Sequence, residues 1–187
     1  MLIAFFYPGF ALAATVPAAP PAPASVQACF GCHGAGGNSA TTGVPSIAGQ
    51  PKIYLENTLV LTREGLRGNP AMQGLMKGLK DPEIIAIARH VAALPVHYEA
   101  GPADKALARH GREVAAKLRC ASCHGANFRG REQMPRLAGQ REEFLDARMR
   151  TLRDKPPPGT DTIMSATLYG VSNADIQALA HFLAHLR

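Results

Sequence analysis

The pentapeptide Cys-x-x-Cys-His occurs twice in this chain of 187 residues and uses all four of its cysteines. Two thiols three residues apart on one helical turn can each add to a haem vinyl group, and the adjacent histidine then lies beneath the iron as an axial ligand. The motif therefore predicts two covalently attached c-type haems. The thioether bonds are expected from Cys29, Cys32, Cys120 and Cys123, and one axial ligand each from His33 and His124.

Other uses of paired cysteines leave features of the sequence unexplained. A zinc ribbon would collect four ligands into one site, whereas each pair here has its own histidine and its own stretch of chain. A thioredoxin-like redox motif belongs to a βαβ unit, and the sequence shows no alternating strand pattern. Structural disulfides suit an exported protein but give no role to the two adjacent histidines. These readings remain as alternatives to haem attachment.

The chain also repeats itself at an offset of 90 to 92 residues. Besides the cysteine motif, residues 45–50 (Pro-Ser-Ile-Ala-Gly-Gln) match residues 135–140 (Pro-Arg-Leu-Ala-Gly-Gln). The apolar face of a helix near residue 84 matches one near residue 176. Repeats of this kind indicate tandem homologous domains. The sequence thus predicts an all-α protein of two domains, each wrapped around one haem.

Composition and periodicity place the boundaries of this organisation. Apolar spacing predicts middle helices from Pro51 to about Arg63 and from Arg141 to about Arg153, final helices capped at Asp81 and Ser172, and an additional first helix in domain two. The predicted segments are a signal peptide at 1–13, a Pro- and Ala-rich tether at 14–25, domain one at 26–94, a linker at 95–102 and domain two at 103–187.

The first residues resemble a secretory leader that lacks its basic part. Leu2 to Leu12 form a short apolar run, and the small residues around Leu12 offer a signal peptidase site after Ala13. We expect cleavage there and export to the periplasm. A start site assigned too late and an uncleaved leader are the alternatives, and the run is shorter than the ~20 apolar residues that span a bilayer.

The repeated elements together resemble a known family. Cys-x-x-Cys-His-Gly, Pro-x-(Ile/Leu)-Ala-Gly-Gln and a methionine twelve residues before the Ile-x-x-(Ile/Leu)-Ala of each final helix are similar to the diheme class I cytochromes c of the cytochrome c4 family. The haem subunit of flavocytochrome c sulfide dehydrogenase has much the same layout. The resemblance covers about residues 26–187. It implies two class I cytochrome c domains packed face to face, with histidine–methionine ligation of each iron.

The repeat then selects the methionines. Met72 and Met164 coincide in the two halves, and both precede the final helix in segments expected to be loops. Met76 is the rival to Met72, but its counterpart is Leu168, which cannot bind iron. Ligation of an iron by two histidines stays open, although none of the other five histidines coincides with another in the repeat.

The resemblance also implies roles for residues that do not touch the iron. Pro45 and Pro135 follow their histidines by twelve and eleven residues. They resemble the loop proline whose carbonyl accepts the proximal imidazole N–H in class I cytochromes c. A simple turn is the alternative for both. Gln50 and Gln140 are assigned to the haem propionates or, equally, to leading into the following helix.

The two halves differ in charge and in their first helices. The net charge is +6, and residues 101–187 carry fourteen Lys and Arg against nine Asp and Glu, whereas residues 26–99 carry six against five. A basic domain two favours an acidic docking site on an oxidase, reductase or dehydrogenase, with a solvated basic face as the alternative. Gly111 and Val114 are placed to pack near Phe182, whereas domain one has His90 at the matching position, so we expect domain one to be looser.

An iron with both axial positions filled has no open site for oxygen, peroxide or substrate, which leaves one-electron transfer. We therefore expect an electron carrier between a donor dehydrogenase or quinol-oxidising complex and a terminal oxidase or reductase, without catalytic residues of its own. The alternatives are a dedicated haem subunit of an enzyme complex, such as flavocytochrome c sulfide dehydrogenase, and a diheme peroxidase or thiosulfate-oxidising enzyme. Nucleic acid is not an expected partner, and membrane association is expected only through a partner or an uncleaved leader.

Overall fold

The computed structural model describes residues 23–98, 100–158 and 162–187. The predicted signal peptide and all but the last three residues of the tether lie outside these ranges. Among the described residues the regular structure is helical, and the β pairing there is one isolated bridge between Arg131 and Met134. The predicted all-α class is confirmed. None of the described helices has the length and hydropathy of a membrane span.

Domain one is built on four α-helices and one 3₁₀ turn, Ala35–Gly37. The buried side chains of Leu55 and Leu59 on the second helix face Ile84, Ile87 and Val91 on the fourth, because both helices carry apolar residues at intervals of three and four. The helices are α1 (Val26–His33), α2 (Lys52–Arg63), α3 (Pro70–Met76) and α4 (Asp81–Ala92).

Domain two repeats this arrangement and adds a helix before it. Its core joins apolar side chains of the third, fourth and fifth helices to Val114 and Ala115 of the added first helix. The helices are α5 (Lys105–Lys117), α6 (Ala121–His124), α7 (Glu142–Asp154), α8 (Thr162–Leu168) and α9 (Asn173–Ala184).

Most helix boundaries agree with the sequence predictions to within about two residues, as is usual for helix ends. Ser172 caps α9 as predicted, since its Oγ accepts the Asp175 N–H at 3.0 Å. The predicted cap at Asp81 is wrong by one residue. The helix is preceded by Lys80, whose backbone N–H donates to Glu83 Oε2 at 3.0 Å, because the glutamate three residues on can bond back to that position.

The segments that hold Met72 and Met164 are short helices, which corrects the expectation of loops. Asn69 accepts the Met72 N–H at 2.9 Å and Pro70 takes the first helical position, so α3 has both usual signals of a helix start. Met72 lies four residues before the end of α3, and Met164 lies four residues before the end of α8. The repeat therefore extends to the helical position of the two methionines.

Close contact between α5 and α9 distinguishes domain two. A Cβ atom added at Gly111 would lie 2.6 Å from Phe182 Cβ and would overlap the carbonyl oxygen of Ala178. Gly111 therefore packs near Phe182, as the sequence predicted, and a glycine is needed there for the two backbones to approach. Residues 23–98 contain no counterpart of α5. The lower rigidity expected for domain one stays a prediction.

The linker is bonded to both domains. The Asn38 side chain donates to Pro95 O at 3.0 Å and accepts the His97 N–H at 2.9 Å. On the other side, Arg136 Nη1 donates to Tyr98 Oη at 3.2 Å. These bonds hold the connection against both halves, so the linker contributes to the orientation of the domains.

We predict that Gly111→Ala destabilises the protein by about 1 to 3 kcal/mol, because the added methyl group forces α5 away from α9. Urea denaturation of the haem-loaded protein, followed by far-UV circular dichroism, measures the change in free energy of unfolding.

Gly74→Ala is the matched control. Gly74 lies inside helix α3, where an added Cβ meets no atom within 4 Å. This substitution should leave stability unchanged or raise it by up to about 1 kcal/mol, since alanine is the better helix former. Equal destabilisation by the two substitutions would contradict the role assigned to Gly111.

Candidate functional site

Each cysteine motif lies on a helical turn. Cys29 and Cys32 belong to α1, while Cys120 immediately precedes α6 and Cys123 lies within it. None of the four cysteines forms a disulfide, and the first of each pair is partly buried whereas the second is exposed. Burial raises the pKa of the Cys29 and Cys120 thiols. The pairs stand about ninety residues apart, each beside its own buried histidine.

The two motif histidines are held in the same way. His33 Nδ1 lies 2.8 Å from Pro45 O, and His124 Nδ1 lies 2.9 Å from Pro135 O. A carbonyl can only accept, so in both rings Nδ1 carries the proton and Nε2 keeps its lone pair. Both rings are buried, with 6% and 4% of their surface exposed. Each imidazole is therefore fixed in the tautomer that a metal ligand needs.

The second histidine ends in an unpaired buried atom. Among the described residues, His124 Nε2 is a buried polar atom without a hydrogen-bond partner. Burial lowers the pKa of the His124 imidazole, and its bond to Pro135 opposes that shift. A neutral imidazole with an unpartnered lone pair is costly in a protein interior unless a ligand binds it. The residues present thus fit an axial haem ligand at this position.

The loops that carry the two prolines are clamped identically. The Gly37 carbonyl accepts the backbone N–H groups two and three residues after Pro45, at 2.8 and 3.0 Å. The Phe128 carbonyl does the same two and three residues after Pro135, at the same distances. Both accepting residues have positive φ, 75° and 54°. The sequence repeat therefore becomes a repeat of backbone geometry around the histidines.

The methionines occupy two kinds of environment. Met76 is 2% exposed inside the core of domain one, and its counterpart Leu168 is 2% exposed inside the core of domain two. Met72 and Met164 are only partly buried, and Met164 lies against the domain-two core. Position 76 is thus an ordinary core position that leucine fills equally well in the other half.

The two glutamines contact the opposite domain. Gln50 Oε1 accepts the Arg136 N–H at 2.9 Å, and Gln50 Nε2 donates to Arg136 O at 3.0 Å. In the mirrored contact, Gln140 Oε1 accepts the Ser46 N–H and Gln140 Nε2 donates to Ser46 O, both at 2.8 Å. Sequence reasoning considered the propionates and the following helices for these side chains and missed the domain interface. Their coincidence in the repeat was the available signal.

A basic cluster at the domain boundary was also missed. Arg67 Nη2 donates to Tyr54 Oη at 3.0 Å, and its guanidinium lies 5.5 Å from the centre of the Tyr54 ring. Burial lowers the pKa of Arg148 on α7, and the charge of Arg67 lowers it further. Two neighbouring, partly buried guanidinium groups favour an anion beside them, and haem propionates are such anions. Arg148 occupies the position in the second repeat that Thr58 occupies in the first. This difference between the repeats was the available sign of the cluster in the sequence.

A cluster of two histidines and a glutamate does not form a second metal centre. Ligand atoms of Glu142, His181 and His185 lie within 4.8 Å of one another. However, His181 Nδ1 is bonded to Glu142 Oε2 at 3.0 Å, and His181 Nε2 accepts the Asp104 N–H at 3.0 Å. Both nitrogens of this ring are engaged, so the cluster ties the starts of α5 and α7 to α9.

Comparisons with known proteins agree with this geometry. The cytochrome c family model matches residues 22–95 and 108–187. A thiosulfate dehydrogenase electron acceptor from Thiomonas intermedia (strain K12) is 32% identical, with 89% of this chain and 81% of that protein covered. A cytochrome c4 from Pseudomonas aeruginosa is 30% identical, with 100% of this chain and 96% of that protein covered.

A solved structure shows the same architecture. Reduced recombinant cytochrome c4 from Pseudomonas stutzeri superposes with a TM-score of 0.79 at 28% identity, with 87% of this chain and 95% of that chain covered. The two matched regions, the helical two-domain fold and the relatives of matching length have one explanation. The chain belongs to the cytochrome c family and, within it, to the diheme electron-transfer cytochromes of the cytochrome c4 family, with two haem c groups.

Proposed function

We propose that the protein is a periplasmic carrier of single electrons, with proposed domain bounds of 26–94 and 103–187. The observation that carries the proposal is the duplicated histidine site, in which Pro45 and Pro135 fix the ring tautomers and His124 Nε2 has no hydrogen-bond partner among the described residues. The residues proposed to hold the haems are Cys29, Cys32, Cys120 and Cys123 as thioethers and His33, Met72, His124 and Met164 as axial ligands.

When bound, haem c supplies a one-electron ferric–ferrous couple. The protein's own residues determine what else is possible at the iron. His33 with Met72, and His124 with Met164, would hold the two irons and would leave no position for oxygen, peroxide or substrate, while a thioether ligand would favour the ferrous state relative to a second histidine. Fixed imidazole rings also keep structural reorganisation small when the charge changes. These features support a carrier over a diheme enzyme.

The environments of the methionines support Met72 over Met76. Met76 fills the same core position as Leu168, so its side chain is accounted for by packing. Met72 and Met164 each lie four residues before the end of a short helix and are only partly buried. At the domain boundary we assign the haem propionates to Arg67, Arg148 and Tyr54, because the amides of Gln50 and Gln140 are already bonded to backbone.

The proposed electron donor is a thiosulfate dehydrogenase. The support is the relative from Thiomonas intermedia, which is described as the electron acceptor of such an enzyme and matches most of this chain. A dedicated subunit of a sulfide-oxidising flavoprotein complex is the alternative that the same layout allows.

The docking surface is proposed around the second cysteine motif, on exposed arginines. Arg131 Nη2 donates to Ser122 O at 2.7 Å, and Ser122 Oγ donates to Arg119 O at 2.8 Å, which places two exposed arginines beside Cys123. By contrast, Arg150 and Arg153 on α7 pair with Asp146 and Asp154, so they add little to the basic face. An acidic surface on the partner protein would complement the charges of Arg119 and Arg131.

We predict that Met72→Leu removes about half of the far-red charge-transfer band that marks methionine bound to ferric iron, and that it lowers the potential of one haem. Met164→Leu should remove the other half. Optical spectra of the oxidised haem-loaded variants, with added carbon monoxide on the reduced forms, measure the change.

Met76→Leu is the matched control, because leucine already fills this position in domain two. The band should keep its full intensity and carbon monoxide should not bind. If Met76→Leu loses intensity in this band and Met72→Leu keeps it, the ligand in domain one is Met76 and the assignment of Met72 is wrong. A wild-type band that accounts for one haem alone would overturn the carrier proposal and favour a diheme enzyme.

We also predict rapid reduction of both haems by thiosulfate in the presence of a thiosulfate dehydrogenase, with a second-order rate that falls as salt is added. Stopped-flow absorbance at several ionic strengths measures this rate. Arg131→Gln should slow reduction at low salt by a few-fold, while Arg150→Gln should have little effect. Reduction only by sulfide together with a flavoprotein would favour the alternative partner.

A further inference from the structure

A single peptide group connects each motif histidine to the opposite domain. The Pro45–Ser46 peptide accepts the His33 Nδ1–H at its carbonyl, at 2.8 Å. The N–H of that same peptide donates to Gln140 Oε1, also at 2.8 Å. Gln140 belongs to domain two, so a continuous hydrogen-bonded chain runs from its amide through the peptide to the imidazole of domain one.

The opposite arrangement is present as well. The Pro135–Arg136 peptide accepts the His124 Nδ1–H at 2.9 Å and donates its N–H to Gln50 Oε1 at 2.9 Å. The two hydrogen-bonded paths therefore use matching residues of the two repeats, and each path crosses to the opposite domain. Neither histidine is oriented by its own domain alone.

The glutamine amides cannot turn around. Gln50 and Gln140 are 5% and 6% exposed, and each amide nitrogen donates to the next carbonyl of the opposite loop. Gln140 Oε1 also accepts the Arg141 N–H at 2.9 Å. A flipped amide would point N–H groups at N–H groups, so the oxygen must face the peptide.

A peptide whose N–H donates to a good acceptor is itself a better acceptor at its carbonyl. Hydrogen bonds in such a chain strengthen one another by roughly 10–30% per bond where water is excluded. A stronger bond to the histidine Nδ1–H raises the basicity of the imidazole at Nε2. A more basic ligand stabilises ferric iron more than ferrous iron and so lowers the reduction potential.

We propose that Gln50 and Gln140 are positioning residues that each tune the haem potential of the opposite domain, through the peptide that orients its histidine. Contact between the domains thereby sets both potentials. The inference rests on the proposed axial roles of His33 and His124. A direct contact between a glutamine and a haem propionate would have a different effect. It would change the potential of the haem that carries the propionate, and the histidine would not be involved.

The test uses Gln140→Met and Gln50→Met in the full haem-loaded protein, as matched controls for each other. Methionine keeps the length of glutamine but cannot accept strongly from the peptide N–H. Redox titration followed by NMR of the haem methyl groups, assigned to each domain through contacts with its side chains, gives the two potentials separately.

Gln140→Met should raise the reduction potential of the domain-one haem and leave that of the domain-two haem nearly unchanged. The expected rise makes the ratio of reduced to oxidised domain-one haem about threefold larger at a fixed solution potential, which corresponds to about 30 mV for a one-electron couple. Gln50→Met should do the reverse. In the reduced protein the His33 Nδ1–H resonance should move upfield in Gln140→Met only. A shift confined to the domain that carries the substitution, equal shifts of both haems, or no shift would overturn the proposal.

Gln140→Glu covers the case in which a methionine variant fails to fold. The protonated carboxyl group keeps the shape of the amide and can both accept the Ser46 N–H and donate to Ser46 O. A carboxyl carbonyl is a weaker acceptor than an amide carbonyl, so the potential of domain one should rise by more than that of domain two. A larger rise in domain two would contradict the inference. If the wild-type spectra show another ligand set, the proposed function fails first. If they show histidine–methionine ligation and the potentials do not respond across the interface, only this inference fails.

Discussion

The hydrogen bond between a prolyl carbonyl and the Nδ1–H of a motif histidine is the interaction around which each half of the molecule is organised. It fixes the ring, selects its tautomer and presents Nε2 for a metal. It forms because the loop that carries the proline is clamped by two backbone bonds and is joined to the final helix. Gly49 N–H donates to Val91 O at 3.1 Å in domain one, and Gly139 N–H donates to Leu183 O at 3.0 Å in domain two.

The same loops form the contact between the domains. Because each half presents one loop and one glutamine, two copies of a single interaction close the interface in the manner of a symmetric dimer. The reciprocal contact follows from the sequence repeat, because both domains carry the same loop and the same glutamine, and each can bond to the other when the domains face each other. The redox site and the domain interface therefore share peptide groups, and a change at one is felt at the other.

Symmetry is broken outside this shared centre. Domain two has α5 packed on α9 through Gly111, a contact that residues 23–98 do not reproduce. Arg148 of α7 stands where α2 has Thr58, which concentrates positive charge on one side of the boundary. The two haem sites therefore have related but unequal surroundings.

The sequence by itself determined the cofactor, the helical class and the division into two repeats, because covalent attachment needs a fixed local spacing and helices have a short period. It also indicated Met72 over Met76, since the comparison between halves needs no coordinates. The tertiary structure decided what lies between distant segments. That Gln50 and Gln140 bond to the opposite loop, and that Arg67 lies near Arg148, depends on how the domains face each other. No local pattern encodes that orientation, because it results from packing between residues that are more than eighty positions apart.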